Sequence, residues 1–348
     1  MKQVLYTISI VGLLIVTYFN MRKKVNVQEN SRIIVSIAHE ALKKFLQKPS
    51  GTITCNLLTG GIGEDAVVKC SHGDTNYIVK LFQDTAIGKN EALWTEFASH
   101  LGIGPSMYYA DPAGTYFIIK CVTGTSLTSK KIANPLILQN IAKAVALLHR
   151  SNTLFAHKAD IFTRIKSKYE SLQTSGALQS LLVSLWRHLE ILKASILSVN
   201  VVLVPCHNDL NPRNIFVDGN HATLIDWGDA SMDNPFYDIA AFFILNSLTQ
   251  EQEELFLTEY DVALLEKHWQ SYLSMLKQFV RFEFALNVLH GVQEYKKDLL
   301  AAIKLPQTKS LQHYLALFAE QQVSTDAPFK YSMALASLNE MRNIEQLS

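Results

Sequence analysis

The stretch that most constrains this chain is residues 201–243, VVLVPCHNDLNPRNIFVDGNHATLIDWGDASMDNPFYDIAAFF. Within it, His207-Asn208-Asp209 is followed by four residues and then Asn214, an apolar hairpin, and Asp226-Trp227-Gly228. Apolar runs at 201–205, 215–217 and 222–225 predict three short strands, with Asp218-Gly219-Asn220 as a tight turn between the last two. Strands so placed would hold the acidic groups on rigid edges. Moving a phosphoryl group to a hydroxyl needs such a set. One carboxylate orients the hydroxyl and takes its proton, while an amide and a second carboxylate hold Mg2+ against a triphosphate. Asp209 fits the first role, and Asn214 with Asp226 fits the second. His-x-Asp and Asp-x-Gly each arise by chance; here they come in order, with Asn214 between them.

The wording of this stretch resembles the aminoglycoside phosphotransferase/choline kinase superfamily. Residues 207–214 and Leu224-Ile225-Asp226-Trp227 carry the resemblance, continued by Met232-Asp233-Asn234-Pro235-Phe236-Tyr237-Asp238-Ile239-Ala240. Within the superfamily it is most similar to bacterial choline and ethanolamine kinases. The resemblance implies an α+β, bilobal protein-kinase-like fold with a small antiparallel β lobe and a larger, mostly helical lobe. It also implies ATP and Mg2+ as cofactors and a small-molecule hydroxyl as acceptor, an amino alcohol first. A protein kinase would carry a long activation segment closed by Ala-Pro-Glu after Asp226-Trp227-Gly228. This chain instead runs into an apolar helix at 236–245, which suits a site open to a small acceptor. Gly228 departs from the pattern, because choline kinases usually carry Glu there. Aminoglycosides, thiamine and sugars therefore stay open as acceptors, as does a tethered pseudokinase that binds nucleotide without turnover.

The chain has 348 residues and 48% hydrophobic content, enough for a substantial core in two lobes. A net charge of +1 removes any global electrostatic case for nucleic acid as a partner. Cys55, Cys70, Cys121 and Cys206 show no Cys-x-x-Cys spacing. They read as small buried side chains in a reducing compartment, not as disulfides or zinc ligands.

Residues 4–19 are apolar and uncharged, with Lys2 before them and Arg22-Lys23-Lys24 after. This predicts a membrane anchor over 1–24 with the catalytic part on the cytoplasmic side, a soluble packed helix being the alternative. No small-x-small site for signal cleavage is present. Residues 25–51 read as a linker and a helix, with Ile33, Ile37, Ala41, Leu42 and Phe45 at helical spacing. Residues 52–124 form the predicted nucleotide-binding lobe, with strands at 52–58, 66–71 and 77–82. Gly60, Gly61 and Gly63 lie between the first two, where missing Cβ atoms would let backbone N–H groups approach phosphates. Lys80 occupies the third strand, where the resemblance places a phosphate-binding lysine; Glu91, rather than Glu96, is its expected partner on a helix at 90–101. The resemblance also sets adenine against the backbone of Lys120, Cys121 and Val122.

Residues 125–322 form the expected catalytic and acceptor-binding lobe. Asp238 is expected as a buried carboxylate taking backbone N–H bonds from the catalytic loop, and His149 as structural. Trp269, Tyr272, Phe279, Phe282 and Phe284, with Glu283 among them, offer aromatic faces and a carboxylate suited to a quaternary ammonium. Each aromatic is also suited to plain core packing. Residues 323–348 are expected to form a loop and a peripheral tail.

Overall fold

The computed structural model describes residues 27–47, 49–58, 65–153, 155, 160–295, 309–319 and 327–345. The expected anchor at 1–24 and the glycines Gly60, Gly61 and Gly63 lie outside the described residues. Among the described residues no helix is long and apolar enough to cross a membrane. The chain divides into two compact units. One runs up to Gly124 and takes in Thr223–Asp229; the other comprises Thr125–Ala222 and the chain from Ala230 onward.

The first unit is built on a five-stranded antiparallel sheet. Its strands are β1 (Ile53–Leu57), β2 (Ala66–His72), β3 (Thr75–Leu81), β4 (Met107–Ala110) and β5 (Tyr116–Lys120), in the order β1-β2-β3-β5-β4. Period-two alternation sets its faces: Val68, Cys70, Tyr77, Val79 and Leu81 point one way and are buried. Helix α1 (Val27–Phe45) covers that face with Ile34, Ile37, Ala38, Ala41 and Leu42, one helical stripe. On the opposite face Phe117 and Ile119 pack with Phe82 and with Ala92 of α2 (Thr85–His100). Asp84 caps α2 by accepting from Ala86 N at 2.8 Å, so the helix starts earlier than expected. Gly88 sits where α2 meets the turn before β5: a Cβ there would lie 2.0 Å from the Gly114 carbonyl oxygen. Only glycine fits.

The cysteine expectation is overturned in this unit. Cys55 stands directly opposite Cys70 in the β1–β2 register, with Cα atoms 4.1 Å apart, and the two form a disulfide. Directly opposed residues of an antiparallel pair put their side chains on the same face, a closeness that spacing along the chain does not reveal. Cys121 and Cys206 are free thiols. Strand β4 was also not foreseen.

The second unit is mostly helical. It begins with β6 (Thr125–Ser126), α3 (Ser129–Ile132) and α4 (Pro135–His149), then α5 (Ile161–Ser171) and α6 (Gly176–Leu197). Strand β7 (Val204–Cys206) leads to a 3-10 turn at Pro212–Asn214 and to β8 (Ile215–Asp218), which turns through Gly219 at φ +58° into β9 (His221–Leu224). On β9 the chain passes to the first unit at Thr223. After β10 (Ser231–Asp233) come α7 (Pro235–Leu245), α8 (Gln250–Asp261), α9 (Lys267–Tyr295), α10 (Leu311–Ala319) and α11 (Ala327–Glu345). Thr249 and Gln252 close a capping box on α8. The strand expected at 201–205 is shorter, because β10 pairs only with Val204, Pro205 and Cys206; Val202 is 77% exposed. The expected peripheral tail is instead core. Tyr331, Leu335, Leu338 and Met341 of α11 are buried, and Ser337 Oγ donates to the Arg281 carbonyl of α9 at 2.8 Å.

Candidate active site

Lys80 lies on the α2 face of β3, one residue out of phase with Val79 and Leu81. Its Nζ contacts Glu91 Oε1 at 2.6 Å and Asp226 Oδ1 at 2.8 Å, all three residues belonging to the first unit. Glu91 sits on the buried side of α2, whereas Glu96 is exposed. One ammonium is thus shared by two carboxylates. Burial works against the Lys80 charge, but Glu91 and Asp226 outweigh it and hold its pKa above the ordinary lysine value. Burial and the Asp226 charge, opposed by Lys80, leave the Glu91 carboxyl pushed up to about 7. Asp226 adopts φ +64° and its side chain is 49% exposed, so its carboxylate keeps access to solvent. A Cβ on Gly228 would lie 3.3 Å from Glu91 Oε2, which makes glycine the residue that leaves this cluster uncrowded. The Lys120 and Cys121 N–H groups donate to Ser106 O (2.9 Å) and Asn76 O (3.0 Å), so both are already used inside the unit.

Asp209 and Asn214 meet in the second unit. The Asn214 amide donates to Asp209 Oδ2 at 2.7 Å and to the Asp209 carbonyl at 3.0 Å. Asn211, which sequence reasoning passed over, donates to Asp209 Oδ1 at 2.9 Å. Both carboxylate oxygens are therefore held by neutral amides, which orient an acid without cancelling its charge. Asn211 also caps the 3-10 turn by accepting from Arg213 N, which is the local signal that could have found it. Asn208 has φ +61°, a left-handed conformation that asparagine enters more readily than most residues with a side chain. Two groups hold it there. Its N–H donates to Asp238 Oδ1 at 2.6 Å, and its Nδ2 donates to Ser231 Oγ at 2.8 Å. Asp238 also accepts from His207 N at 2.7 Å, so the expected buried carboxylate under the catalytic loop is observed.

The acceptor-side expectation needs one correction. Glu283 is buried, but it is not available to a cationic ligand. Lys168 Nζ contacts its Oε1 at 2.6 Å, Arg164 Nε contacts the same atom at 3.1 Å, and the Tyr237 hydroxyl donates to Oε2. Arg164 also reaches Asp233 Oδ2 at 3.4 Å. Burial alone would raise the Glu283 pKa, yet the two cations hold it below the usual carboxylate range. Of the aromatics, Phe279 and Phe282 are core. Trp269 is half-buried and stacks on Phe236 at 4.5 Å, with Tyr272 edge-on to Phe236 at 5.3 Å.

Residues 56–274 match the phosphotransferase enzyme family, APH. Protein LicA of Haemophilus influenzae is 25% identical over 159 residues, covering 44% of this chain and 57% of LicA. The chain thus spans little more than half the length of that relative. Among solved structures, a choline/ethanolamine kinase family protein from Mesorhizobium loti superposes with TM-score 0.62 at 17% identity, covering 86% of this chain and 98% of that one. The choline kinase LicA from Streptococcus pneumoniae gives 0.60 at 18%, covering 86% and 98%. The ADP-bound aminoglycoside phosphotransferase APH(2'')-Ib gives 0.56 at 15%, covering 87% and 98%. At such identities the likeness carries the fold.

Proposed function

The chain belongs to the phosphotransferase enzyme family, and on that premise we propose that it moves the γ-phosphoryl of ATP to the hydroxyl of a small molecule, choline or ethanolamine first. The observation that carries this reading is the Asp209 carboxylate, gripped on both oxygens by the Asn211 and Asn214 amides. In this role Asp209 orients the acceptor hydroxyl and takes its proton. Lys80, kept charged between Glu91 and Asp226, pairs with the phosphates. Asp226 and Asn214 offer only hard oxygen donors, a set that fits Mg2+, and they are the residues that would hold it. The ion would neutralise charge on the phosphates. Gly60, Gly61 and Gly63 are assigned to the phosphates and the Lys120–Val122 backbone to adenine on the strength of the sequence alone.

The amino-alcohol acceptor is supported by the half-buried Trp269 stacked on Phe236, an aromatic face of the kind that attracts a quaternary ammonium. A second reading follows from Glu283. Because Arg164 and Lys168 neutralise it, an acceptor without a permanent charge, such as a sugar, fits that side equally well. We also propose that residues 1–24 tether the domain to the inner face of a membrane, which the apolar run at 4–19 and Arg22-Lys23-Lys24 support. Cysteine usage no longer argues for that side, so the cytoplasmic assignment rests on the basic cluster and on the need for ATP. Retention in the pellet after alkaline carbonate extraction is the expected result.

The deciding experiment is Mg2+-dependent ADP release against choline, ethanolamine, thiamine, sugars and aminoglycosides, with Asp209→Asn as control. Turnover with one acceptor, reduced roughly 10²–10⁴-fold in the mutant, is expected. Nucleotide binding with no product from any acceptor would instead favour a pseudokinase.

A further inference from the structure

Three polar side chains from three helices meet beneath the catalytic loop. His149 ends α4, Asp238 lies in the first turn of α7, and Tyr260 lies near the end of α8. His149 Nε2 is 3.1 Å from Asp238 Oδ2, and His149 Nδ1 is 2.9 Å from the Tyr260 hydroxyl. His149 is 4% exposed and Asp238 is fully buried, so no solvent stands in for either partner. Cys206 approaches the same group and would complete a set of metal-ligand atoms within 4.8 Å of one another. That reading is the weaker one. Both His149 nitrogens and both Asp238 oxygens already have partners, and burial pushes the Cys206 thiol well up, away from the thiolate that a metal needs.

The direction of each bond follows from the charges. Burial opposes the Asp238 charge, but donors from His149 and the His207 backbone hold its carboxyl below the ordinary range, so it is ionised and can only accept. The His149 nitrogen facing it, Nε2, therefore carries a proton. Burial keeps the Tyr260 hydroxyl protonated, and it donates to Nδ1.

We propose that His149 and Tyr260 are positioning residues of the phosphoryl-transfer reaction: the relay Tyr260 O–H to His149 Nδ1, and His149 Nε2–H to Asp238, fixes the orientation in which Asp238 takes the His207 and Asn208 N–H bonds. The second of these bonds, with the Asn208 Nδ2 bond to Ser231 Oγ, holds Asn208 left-handed, the first fixes the residue before it, and Asn208 immediately precedes Asp209. Without the relay, Asp238 can rotate and the loop can relax toward ordinary backbone conformation. Asp209 would then keep its charge and lose its aim, a loss that falls on the chemical step rather than on substrate binding. Tyr260 suits this role because its position is fixed independently of its hydroxyl. Arg150 Nη2 donates to the Tyr260 carbonyl at 2.5 Å, and the Tyr260 ring stacks on Phe256 at 6.2 Å.

The inference rests on the reading of Asp209 as the group that orients the acceptor, and its test separates the two. Steady-state kinetics of the full chain would be measured with ATP and the acceptor that gives turnover. Tyr260→Phe keeps the ring contacts and removes only the hydroxyl. For Tyr260→Phe and His149→Ala, kcat is expected to fall about 10–100-fold, the range of supporting-residue effects. Both KM values are expected to stay within about twofold. His149→Gln, which can present an N–H to Asp238, should recover most of the loss. Independently of any acceptor, two-bond 15N–1H NMR should find His149 as the Nε2–H tautomer. Unchanged kcat in Tyr260→Phe, or His149 found as the Nδ1–H tautomer, overturns the relay. If His149→Ala fails to fold, Tyr260→Phe and the tautomer decide. Absence of turnover in the wild type would sink the phosphotransferase reading instead, and the tautomer would still test the relay.

Discussion

Two buried glutamates, one in each unit, meet opposite electrostatic fates. Glu91 is 2% exposed and has one cation, Lys80, which it shares with Asp226. Glu283 is 7% exposed and has two cations, Arg164 and Lys168, plus the Tyr237 hydroxyl. The first carboxyl is pushed up to about 7, the second held below its ordinary value. Burial is the same in kind for both, so the count of partners decides the sign. Around Lys80 the two carboxylates outnumber the ammonium, leaving an acidic surplus. Around Glu283 the charges of Arg164, Lys168 and Asp233 close to neutrality. The first cluster is the one proposed to serve a ligand, and the second joins α5, α9 and β10.

The contrast can be broken most sharply at Glu283. Glu283→Ala would remove the nearer carboxylate of Arg164 and the acceptor of the buried Tyr237 hydroxyl, and chemical denaturation should show a loss of about 3 kcal/mol. A loss below one kcal/mol would mean the network is not structural. At the other cluster, Asp226→Asn should act on activity and spare the fold. Turnover is expected to fall roughly 10²–10³-fold, while the melting temperature holds or rises because a like charge beside Glu91 is gone. A large drop in melting temperature would make Asp226 a structural partner of Lys80 instead.

Smaller effects sharpen the same comparison. Lys168 is 32% exposed, so solvent screens its pairing, and Lys168→Met should cost about 1 kcal/mol or less in a denaturant titration. The pH dependence has a definite sign. Because the Glu283 pKa is lower in the folded chain than the ordinary 4.5, its contribution is fully present above about pH 4.5 and is lost as pH falls through the folded value. Denaturation midpoints of the wild type should therefore drop more than those of Glu283→Gln between neutral pH and pH 3. Equal drops would remove Glu283 from the acid response.

Legibility in the sequence followed sequence distance. Asp209 and Asn214 are five residues apart and both were singled out from that spacing; the hydrogen bond between them is a finding of the structure. The turn at Gly219 and the Thr249 cap were readable for the same reason, since a few neighbouring residues decide them. Asn211 was missed although it lies within two residues of Asp209, because an asparagine in a polar loop has many ordinary uses. Glu91 was chosen over Glu96 through the resemblance, and helix phase explains the contact: Glu91 faces the sheet and Glu96 faces solvent.

What the chain determined by itself was the chemical inventory and its local order: an acid with an asparagine five residues on, a strand lysine, and strand and helix periods that match the two units. Tertiary structure alone decided which groups neutralise which. Glu283 meets partners 115 and 119 residues away, and Lys80 meets Asp226 across 146. Cys55 finds Cys70 only through the register of β1 on β2, and α11 becomes core only because α9 offers it an apolar face. The physical reason is common to all of these. Periodicity reports whether a side chain is turned inward, while burial energy and charge pairing depend on what has been brought to meet it there.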